Sequence, residues 1–476
     1  MAVEQSLPPS EEPATLAPSV LDRMRRLHAL REQRSDIFTG AELAERAPVA
    51  RPAPAARPTS ANPRDLMALV PGTEVENERG ICFVSQAAYP VETDRGGHPL
   101  ADLLARPTQS LTDPANFDFR RAAFIDTETT GLGGSGVYAF MVGVGTFEGG
   151  LGIGDWGLGG PNPQSPIPNP QSHFVVRQFF MRSPAEEPAL LTAVAELLAD
   201  RESLVTFNGR TFDVPLLRGR FSQNRRWLSA AAQEVPLLQN GAAHLDLLHP
   251  ARRLWRRRLQ SVRLINLEEQ ILGLGRAESD VPGSLIPYLY IQYLQSGDAT
   301  EMGRIFYHNR EDIVSMVPLA ERLCRIFDDP FAPGHRTEIH GLDMLSLGHT
   351  YESAGKLAEA ETAFRHADTD LTAAGDMAGL ADLFNRLGTL LKRQERWTEA
   401  VELWERWIST IPGLDPTPYV ELAKVYEWRE PDLDKAAMWT GWALHTLRSA
   451  PIRQRNPGAI AELEHRLARI QLKIEN

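Results

Sequence analysis

The chain has 476 residues, 42% hydrophobic and 24% charged, a composition of folded domains in water and a length suited to about three units of roughly 150 residues. No apolar run approaches the ~20 residues of a membrane-crossing helix, and the start Met-Ala-Val-Glu-Gln-Ser lacks the basic and apolar stretches of a secretory signal, so no membrane partner and a cytoplasmic location are expected. A net charge of −12 argues against indiscriminate coating of nucleic acid, yet residues 201–263 carry 12 Lys and Arg against 4 Asp and Glu, while 341–476 carry 16 against 21.

Residues 1–65 are rich in Pro, Ala, Glu and Arg and bury too little apolar surface to offset ordering entropy, which predicts disorder with one short helix over 21–33. Residues 66–120 read as a β-rich lead-in, with Ile81-Cys82-Phe83-Val84 as a strand. Cys82 and Cys324, far apart, are expected as inert core thiols. From 121 the pattern runs strand, strand, strand, helix, strand, helix, with apolar runs at 122–126, 137–147 and 174–181, a helix over 187–199, a buried strand at 203–207 and a helix opening at 212. A strand at 244–248, a basic helix at 251–259 and a last helix at 304–323 complete a unit spanning 121–330. The Gly- and Pro-rich stretch 149–172 carries Pro-Asn-Pro-Gln-Ser twice and is expected as a flexible insertion.

Residues 340–474 are expected as an all-α helical-repeat domain. Gly348, Tyr351, Ala360, Phe364 and Ala367 recur 40 residues on as Gly388, Leu391, Ala400, Trp404 and Trp407, with Pro412 closing the second copy. A looser third copy runs Ala423, Tyr426, Ala436, Thr440 and Ala443. This spacing resembles the tetratricopeptide repeat, and a plain amphipathic bundle is the other reading. Trp397, Trp404, Trp407 and Trp428 are core candidates, and the acidic tail suits a protein partner better than more nucleic acid.

The chemistry-bearing residues fall in three segments. Asp126-Thr127-Glu128 ends an apolar strand, where side chains at i and i+2 share a face, so both carboxylates can reach one metal. Such a triplet arises by chance about once or twice in a chain this long, so its context decides. Leu204 to Phe207 forms a strand that turns at Asn208-Gly209 and opens a helix at Asp213. In Tyr307-His308-Asn309-Arg310-Glu311-Asp312, His308 and Asp312 stand at i and i+4 on one helical face.

These segments resemble the three motifs of the DEDD exonucleases of the ribonuclease H-like superfamily, and more closely the YprB-like branch of bacterial ribonuclease H-like proteins. Further matches are Gly134-Ser135-Gly136 and Phe140, Phe207-Asn208-Gly209 with Phe212-Asp213, and His244-Leu245-Asp246-Leu247-Leu248-His249 before Arg252-Arg253-Leu254-Trp255. Val281-Pro282-Gly283 and Gly297-Asp298 follow, and the likeness spans about 70–325. It implies an α/β ribonuclease H-like domain, a mixed sheet flanked by helices, with Asp126, Glu128, Asp213 and Asp312 binding two Mg²⁺ or Mn²⁺ ions, and phosphodiester hydrolysis of DNA or RNA from a 3′ end. Family members place a general-base Tyr four residues, or His five residues, before the last Asp. Here His308 stands at the Tyr spacing and Tyr307 at the His spacing. His308 shares the face of Asp312 and has the ordinary imidazole pKa near 6.5 that suits proton removal, so it is the expected base, with Tyr307 in reserve.

Arg252, Arg253, Arg256 and Arg257, with Asn208, are the expected nucleic-acid contacts, the arginines as a phosphate clamp or simply a solvated charged face. Asn309 and Asp246 are reserve site residues, and His244, Asp246 and His249 are read as architectural. The competing function is a non-catalytic nucleic-acid-binding or scaffold protein whose repeats hold protein partners.

Overall fold

Apolar runs bounded by turns assemble a seven-stranded mixed sheet in the order β1-β2-β7-β6-β5-β8-β9. The strands are β1 (Thr73–Asn77), β2 (Gly80–Pro90), β5 (Ala122–Thr129), β6 (Ala139–Glu148), β7 (His173–Phe180), β8 (Ser203–Thr206) and β9 (Ala243–Asp246). A separate two-residue pair, β3 (Asp94–Arg95) and β4 (His98–Pro99), lies between β2 and β5 in the chain. β5, β8 and β9 run parallel, and the remaining pairings are antiparallel. This computed structural model describes residues 64–106, 111, 117–131, 136–149, 172–277, 280–332, 334–335, 338–411, 415–451, 453 and 456–475. The expected disorder and helix before residue 64, the interior of the 149–172 insertion, Gly134, Ser135 and Pro412 lie outside them.

The stretch expected as a lead-in supplies β1 and β2, and β2 pairs with β7 along eight residues, so it shares one sheet with the unit that follows. Cys82 and Cys324 are buried, and burial pushes both thiols up to about 12. Five helices flank the sheet: α1 (Glu187–Leu198), α2 (Asp213–Asn224), α3 (Leu248–Trp255), α4 (Ile286–Ser296) and α5 (Met302–Asp328). Leu190, Val194 and Leu217 of α1 and α2 pack with Ile125 and Leu204. Leu254 and Trp255 of α3, with Ile313 and Val317 of α5, pack with Phe124, Val205 and Leu245. The basic helix stops at Trp255, because Trp255 and Leu259 turn inward, so Arg256, Arg257 and Arg258 stand on the turn beyond it.

How α5 sits on the sheet decides the site. Asp126, Gly143 and Gln178 form one row across β5, β6 and β7. A Cβ on Gly143 would lie 2.3 Å from both Asn309 Oδ1 and Ile313 Cδ1, and one on Gly145 would lie 2.6 Å from Ile313 Cγ2. Two glycines on one face of β6 thus let α5 lie directly on the strand.

The C-terminal region, among its described residues, is built of helices joined by short turns: α6 (Gly341–Ser353), α7 (Leu357–Ala374), α8 (Met377–Arg393), α9 (Trp397–Thr410), α10 (Thr417–Trp428), α11 (Leu433–Ser449) and α12 (Pro457–Glu475). Gly348 lies under the Phe364 ring and Gly388 under the Trp404 indole, where added Cβ atoms would fall 2.3 and 2.5 Å from the nearest ring atoms. Trp404 and Trp407 are buried and Trp397 is half-buried beneath Arg429. Trp428 departs from the core expectation: it is 55% exposed, because α10 turns Leu422, Val425 and Tyr426 inward, and Arg466 stacks 4.6 Å from its ring. No helix among the described residues is long and apolar enough to cross a membrane.

The Gly143 contact is open to test. Gly143→Ala overpacks the α5 interface and is expected to cost about 1–3 kcal/mol in urea unfolding. A loss under about 0.5 kcal/mol, the range of neutral surface changes, would show that α5 is not held against β6 at this point.

Candidate active site

Asp126 and Glu128 project from the C-terminal half of β5, on the alternate positions where its burial pattern opens. Both side chains are half-buried, whereas Thr127 between them is buried on the opposite face. Asn309 donates through Nδ2 to Asp126 Oδ2 at 2.8 Å and to the Asp126 carbonyl at 3.3 Å. Its Oδ1 accepts from Gln178 Nε2 at 2.9 Å, and Gln178 also donates to the Phe306 carbonyl at 2.8 Å. Asn309 is therefore wholly buried and tied to both outer members of the Asp126–Gly143–Gln178 row.

Asp213 opens α2 after the Asn208–Gly209 turn and accepts from Thr127 Oγ1 at 2.5 Å. The turn needs a left-handed residue, and Asn208 supplies it with φ of 72°. Asp246 holds the turn in place. Its carboxylate, 3% exposed, accepts from the backbone N–H groups of Asn208 at 2.8 Å, Arg210 at 3.0 Å and Leu248 at 3.1 Å. Asn208 itself is exposed, its Oδ1 accepting from Thr211. His244 pairs Nε2 with Thr206 Oγ1 at 2.8 Å, and burial, then Arg210, depresses its pKa to about 4; His249 is exposed.

On α5, His308 and Asp312 share a face, with Nε2 3.8 Å from Asp312 Oδ2. His308 Nδ1 lies 2.9 Å from Asp280 Oδ1, and a Cβ on Gly283 would come within 3.7 Å of Nε2. Tyr307 turns elsewhere, its hydroxyl accepting from the Ala277 N–H at 3.0 Å. One cation enters the cluster. Arg276 grips Glu268 through two bonds of 2.6 Å, pairs with Asp312, and reaches Asp280 at 3.3 Å.

The electrostatics are those of crowded carboxylates. Burial, then Asp312, Asp213 and Glu128, holds Asp126 well above the usual carboxylate range. Glu128 is raised likewise by burial, Asp312 and Asp213, with Arg276 opposing. Burial lifts Asp213 to about 6 against the Thr127 hydrogen bond.

The acidic set has the chemistry a hard divalent cation requires, oxygen donors with excess negative charge. Among the described residues, however, no three His, Cys, Asp or Glu side chains converge closely enough to enclose an ion. Asp126, Asp213 and Asp312 each face a protein donor instead: Asn309, Thr127 and Arg276.

Thr127, Gln178, Arg276 and Asp280 were not singled out in the sequence. Gln178 carried a signal, because Arg177-Gln178 interrupts an apolar run. Arg276 and Asp280 carried none, since loop geometry alone brings them to α5. Of the basic residues, Arg252, Arg253 and Arg256 are exposed, and Arg257 bonds Asp382 and, at 3.1 Å, His349 of the helical region.

Residues 168–324 match a model of the RNase_H superfamily. That segment, about a third of the chain, is similar to the superfamily, and the mixed sheet flanked by helices has the ribonuclease H-like architecture. The match takes in β7, β8, β9 and α1 to α5, and with them Asp213, His308 and Asp312. A relative in Bacillus subtilis (strain 168), bearing the name "Uncharacterized protein YprB", is 27% identical over 365 residues, which are 75% of this chain and 78% of that protein. Asp126 and Glu128 lie ahead of the matched segment, on β5, which pairs with β6 on one side and β8 on the other.

The raised Asp213 gives a signed pH prediction. With a folded pKa of about 6 above its ordinary value of 3.8, the ionised carboxylate costs stability above pH 6, and that cost disappears as pH falls below 3.8. In chelator-treated protein, Asp213→Asn should therefore melt higher than the parent at pH 8, with the advantage shrinking once pH drops below about 6. An advantage that grew on acidification would show the opposite shift.

Proposed function

We propose that the chain is a metal-dependent nuclease that hydrolyses phosphodiester bonds of DNA or RNA, working stepwise from a 3′ end. The observation that carries this reading is the tie from Asn309 to Asp126, which brings Asp312 and His308 on α5 to the carboxylates of β5. Asp126, Glu128, Asp213 and Asp312 would hold two Mg²⁺ or Mn²⁺ ions, which when bound supply charge neutralisation at the scissile phosphate and a water of lowered pKa. The 3′ polarity rests on the likeness of the three motifs to exonucleases.

The chain's own residues have separable tasks. Asp280 at 2.9 Å is the nearer of the two partners of His308 Nδ1, ahead of Arg276 Nη1 at 3.3 Å, and favours the tautomer with its proton there, so that Nε2, on the Asp312 side, would take a proton from an attacking water. This partnership favours His308 over Tyr307, whose hydroxyl is engaged by backbone. Asp246 and Thr127 position Asp213, Asn309 positions Asp126, and Arg276 offsets the carboxylate charge nearest Asp312.

One observation favours a second reading. The Arg276–Asp312 ion pair neutralises a proposed metal ligand from within, as a non-catalytic nucleic-acid-binding or scaffold protein could also do. In that reading the helical region, with its tetratricopeptide-like spacing, would hold protein partners.

Cleavage assays separate the two. The full chain with Mn²⁺ or Mg²⁺ should shorten 5′-labelled single-stranded or duplex oligonucleotides to a ladder. Asp126→Ala should abolish the ladder, and His308→Ala should slow it by roughly 10²–10⁴, the usual contribution of a general base. Absence of metal-dependent cleavage on every DNA and RNA substrate, or equal cleavage by Asp126→Ala, would overturn the enzyme reading. Internal fragments would replace the exonuclease with an endonuclease.

A further inference from the structure

A cavity that the active site does not use lies beyond the end of α3. It measures about 800 Å³ and is lined by Arg252, Arg256, Arg257, Arg258, Gln260 and Arg263, among others. Its lining contains no carboxylate. Two of these guanidiniums are neutralised across the seam with the helical region: Arg257 by Asp382 and Arg258 by Asp343, the latter at 2.9 Å. Arg252, Arg256 and Arg263 are exposed, and their side chains have no ion pair or hydrogen-bond partner among the described residues.

Three unneutralised guanidiniums around one concavity repel one another, and the backbone keeps them together. Ala251, Leu254, Trp255, Leu259 and Leu264 are buried beside them, and Leu259 N–H bonds the Trp255 carbonyl at 2.8 Å. Such a concentration of fixed positive charge favours an anionic ligand, and guanidiniums take phosphate oxygens in bidentate fashion.

We infer that this cavity holds phosphates of a single-stranded stretch of the nucleic acid, a site that rests on the nuclease reading and gives the substrate its path. α3 starts beside the Asp246 clamp, since Leu248 N–H and the Asn208 and Arg210 N–H groups share that carboxylate. At 1.5 Å per residue, Arg252 and Arg256 stand about 6 and 12 Å along from Leu248, whose N–H shares the Asp246 carboxylate with the turn that precedes Asp213. A strand whose end reaches the carboxylates can therefore lay its next phosphates in the cavity. No aromatic ring lines it, so the contact is to backbone and indifferent to base sequence. A concavity of this volume suits a few nucleotides of single strand and not a rigid duplex. Arg257, neutralised by Asp382, falls outside the phosphate set, and Arg263 joins it.

The test is binding without catalysis, by fluorescence anisotropy of a labelled single-stranded oligonucleotide with the full chain in chelator. Replacing Arg252, Arg256 and Arg263 together by Ala should weaken binding at least tenfold near 0.1 M salt. It should also flatten the slope of log affinity against log salt by about 2, at roughly 0.7 per lost phosphate contact. The triple Lys variant, which keeps the charge, should retain most of the salt slope. Because all three side chains are exposed and repel one another, the Ala variant should melt no lower than the parent. Unchanged affinity and slope in the Ala variant would overturn the proposal. So would displacement of the oligonucleotide by inorganic pyrophosphate at equal phosphate concentration, which would make the cavity a small-polyphosphate site. Binding that depends on the arginines in a chain that never cleaves would refute the nuclease reading alone. Cleavage accompanied by arginine-independent binding would refute this inference alone.

Discussion

Asn309 is where the helix bearing His308 and Asp312 is pinned to the strand bearing Asp126, and the geometry of the site follows from that pin. Its amide can satisfy Asp126 and Gln178 together only because Gly143, between them in the same row, has no side chain. The amide is wholly buried, so leaving either end unpaired would cost the desolvation of that group, about 1–3 kcal/mol. That penalty fixes the rotation of α5 about its own axis. At 100° per residue, His308 and Asp312 lie about 40° apart and on the same side of Asn309, so the rotation that seats the amide also turns both toward the carboxylates.

The arrangement is stable as a scaffold and unfavourable as electrostatics. Asp126, Glu128 and Asp213 are all held above the usual carboxylate range, chiefly by burial and then, for Asp126 and Glu128, by neighbouring acids. No requirement of folding calls for this crowding, and an apolar cluster would fill the same volume without the repulsion. Asp126, Asp213 and Asp312 also each have a protein donor, so the negative charge is organised. Arg276 is the most telling of these, because Glu268 holds it by two bonds while it also meets Asp312, Asp280 and His308. A cation supplied by the chain therefore stands beside the acids to which the proposed ions would bind.

The parts legible in the sequence were those with local periodicity. The apolar runs gave β5, β6, β7 and β8 within a few residues, the Asn-Gly turn marked the start of α2, and the 40-residue recurrence picked out Gly348, Phe364, Gly388 and Trp404, which meet in pairs between helices. Asp126 and Glu128 on one face followed from the two-residue repeat of a strand. What was not legible depends on register and on loops. The Asp126–Gly143–Gln178 row requires knowing which residues face each other across three strands. Asp280 and Arg276 reach α5 from a loop that has no periodic signal. The membership of β1 and β2 in the main sheet was hidden for the same reason: an edge pairing with β7 joins segments about 90 residues apart. The basic helix was placed three to four residues too far along, at 251–259 instead of Leu248–Trp255, and Trp255 and Leu259 are buried where the helix ends.

The seam between the ribonuclease H-like domain and the helical region combines two kinds of contact with different consequences. One hydrophobic core runs unbroken from Phe124 and Trp255 through Met344 to Phe364, Phe384 and Trp404, and this burial supplies the adhesion. The Arg257–Asp382 pair is partly exposed, so it adds little to stability, on the order of 0–1 kcal/mol. Its effect is on charge. By pairing Arg257 with Asp382 and Arg258 with Asp343, the seam neutralises two arginines of the cavity lining and leaves Arg252, Arg256 and Arg263 without a counter-charge among the described residues. The negative charge of the helical region thus shapes the positive surface of its neighbour, which reconciles an acidic chain with a local site for phosphate.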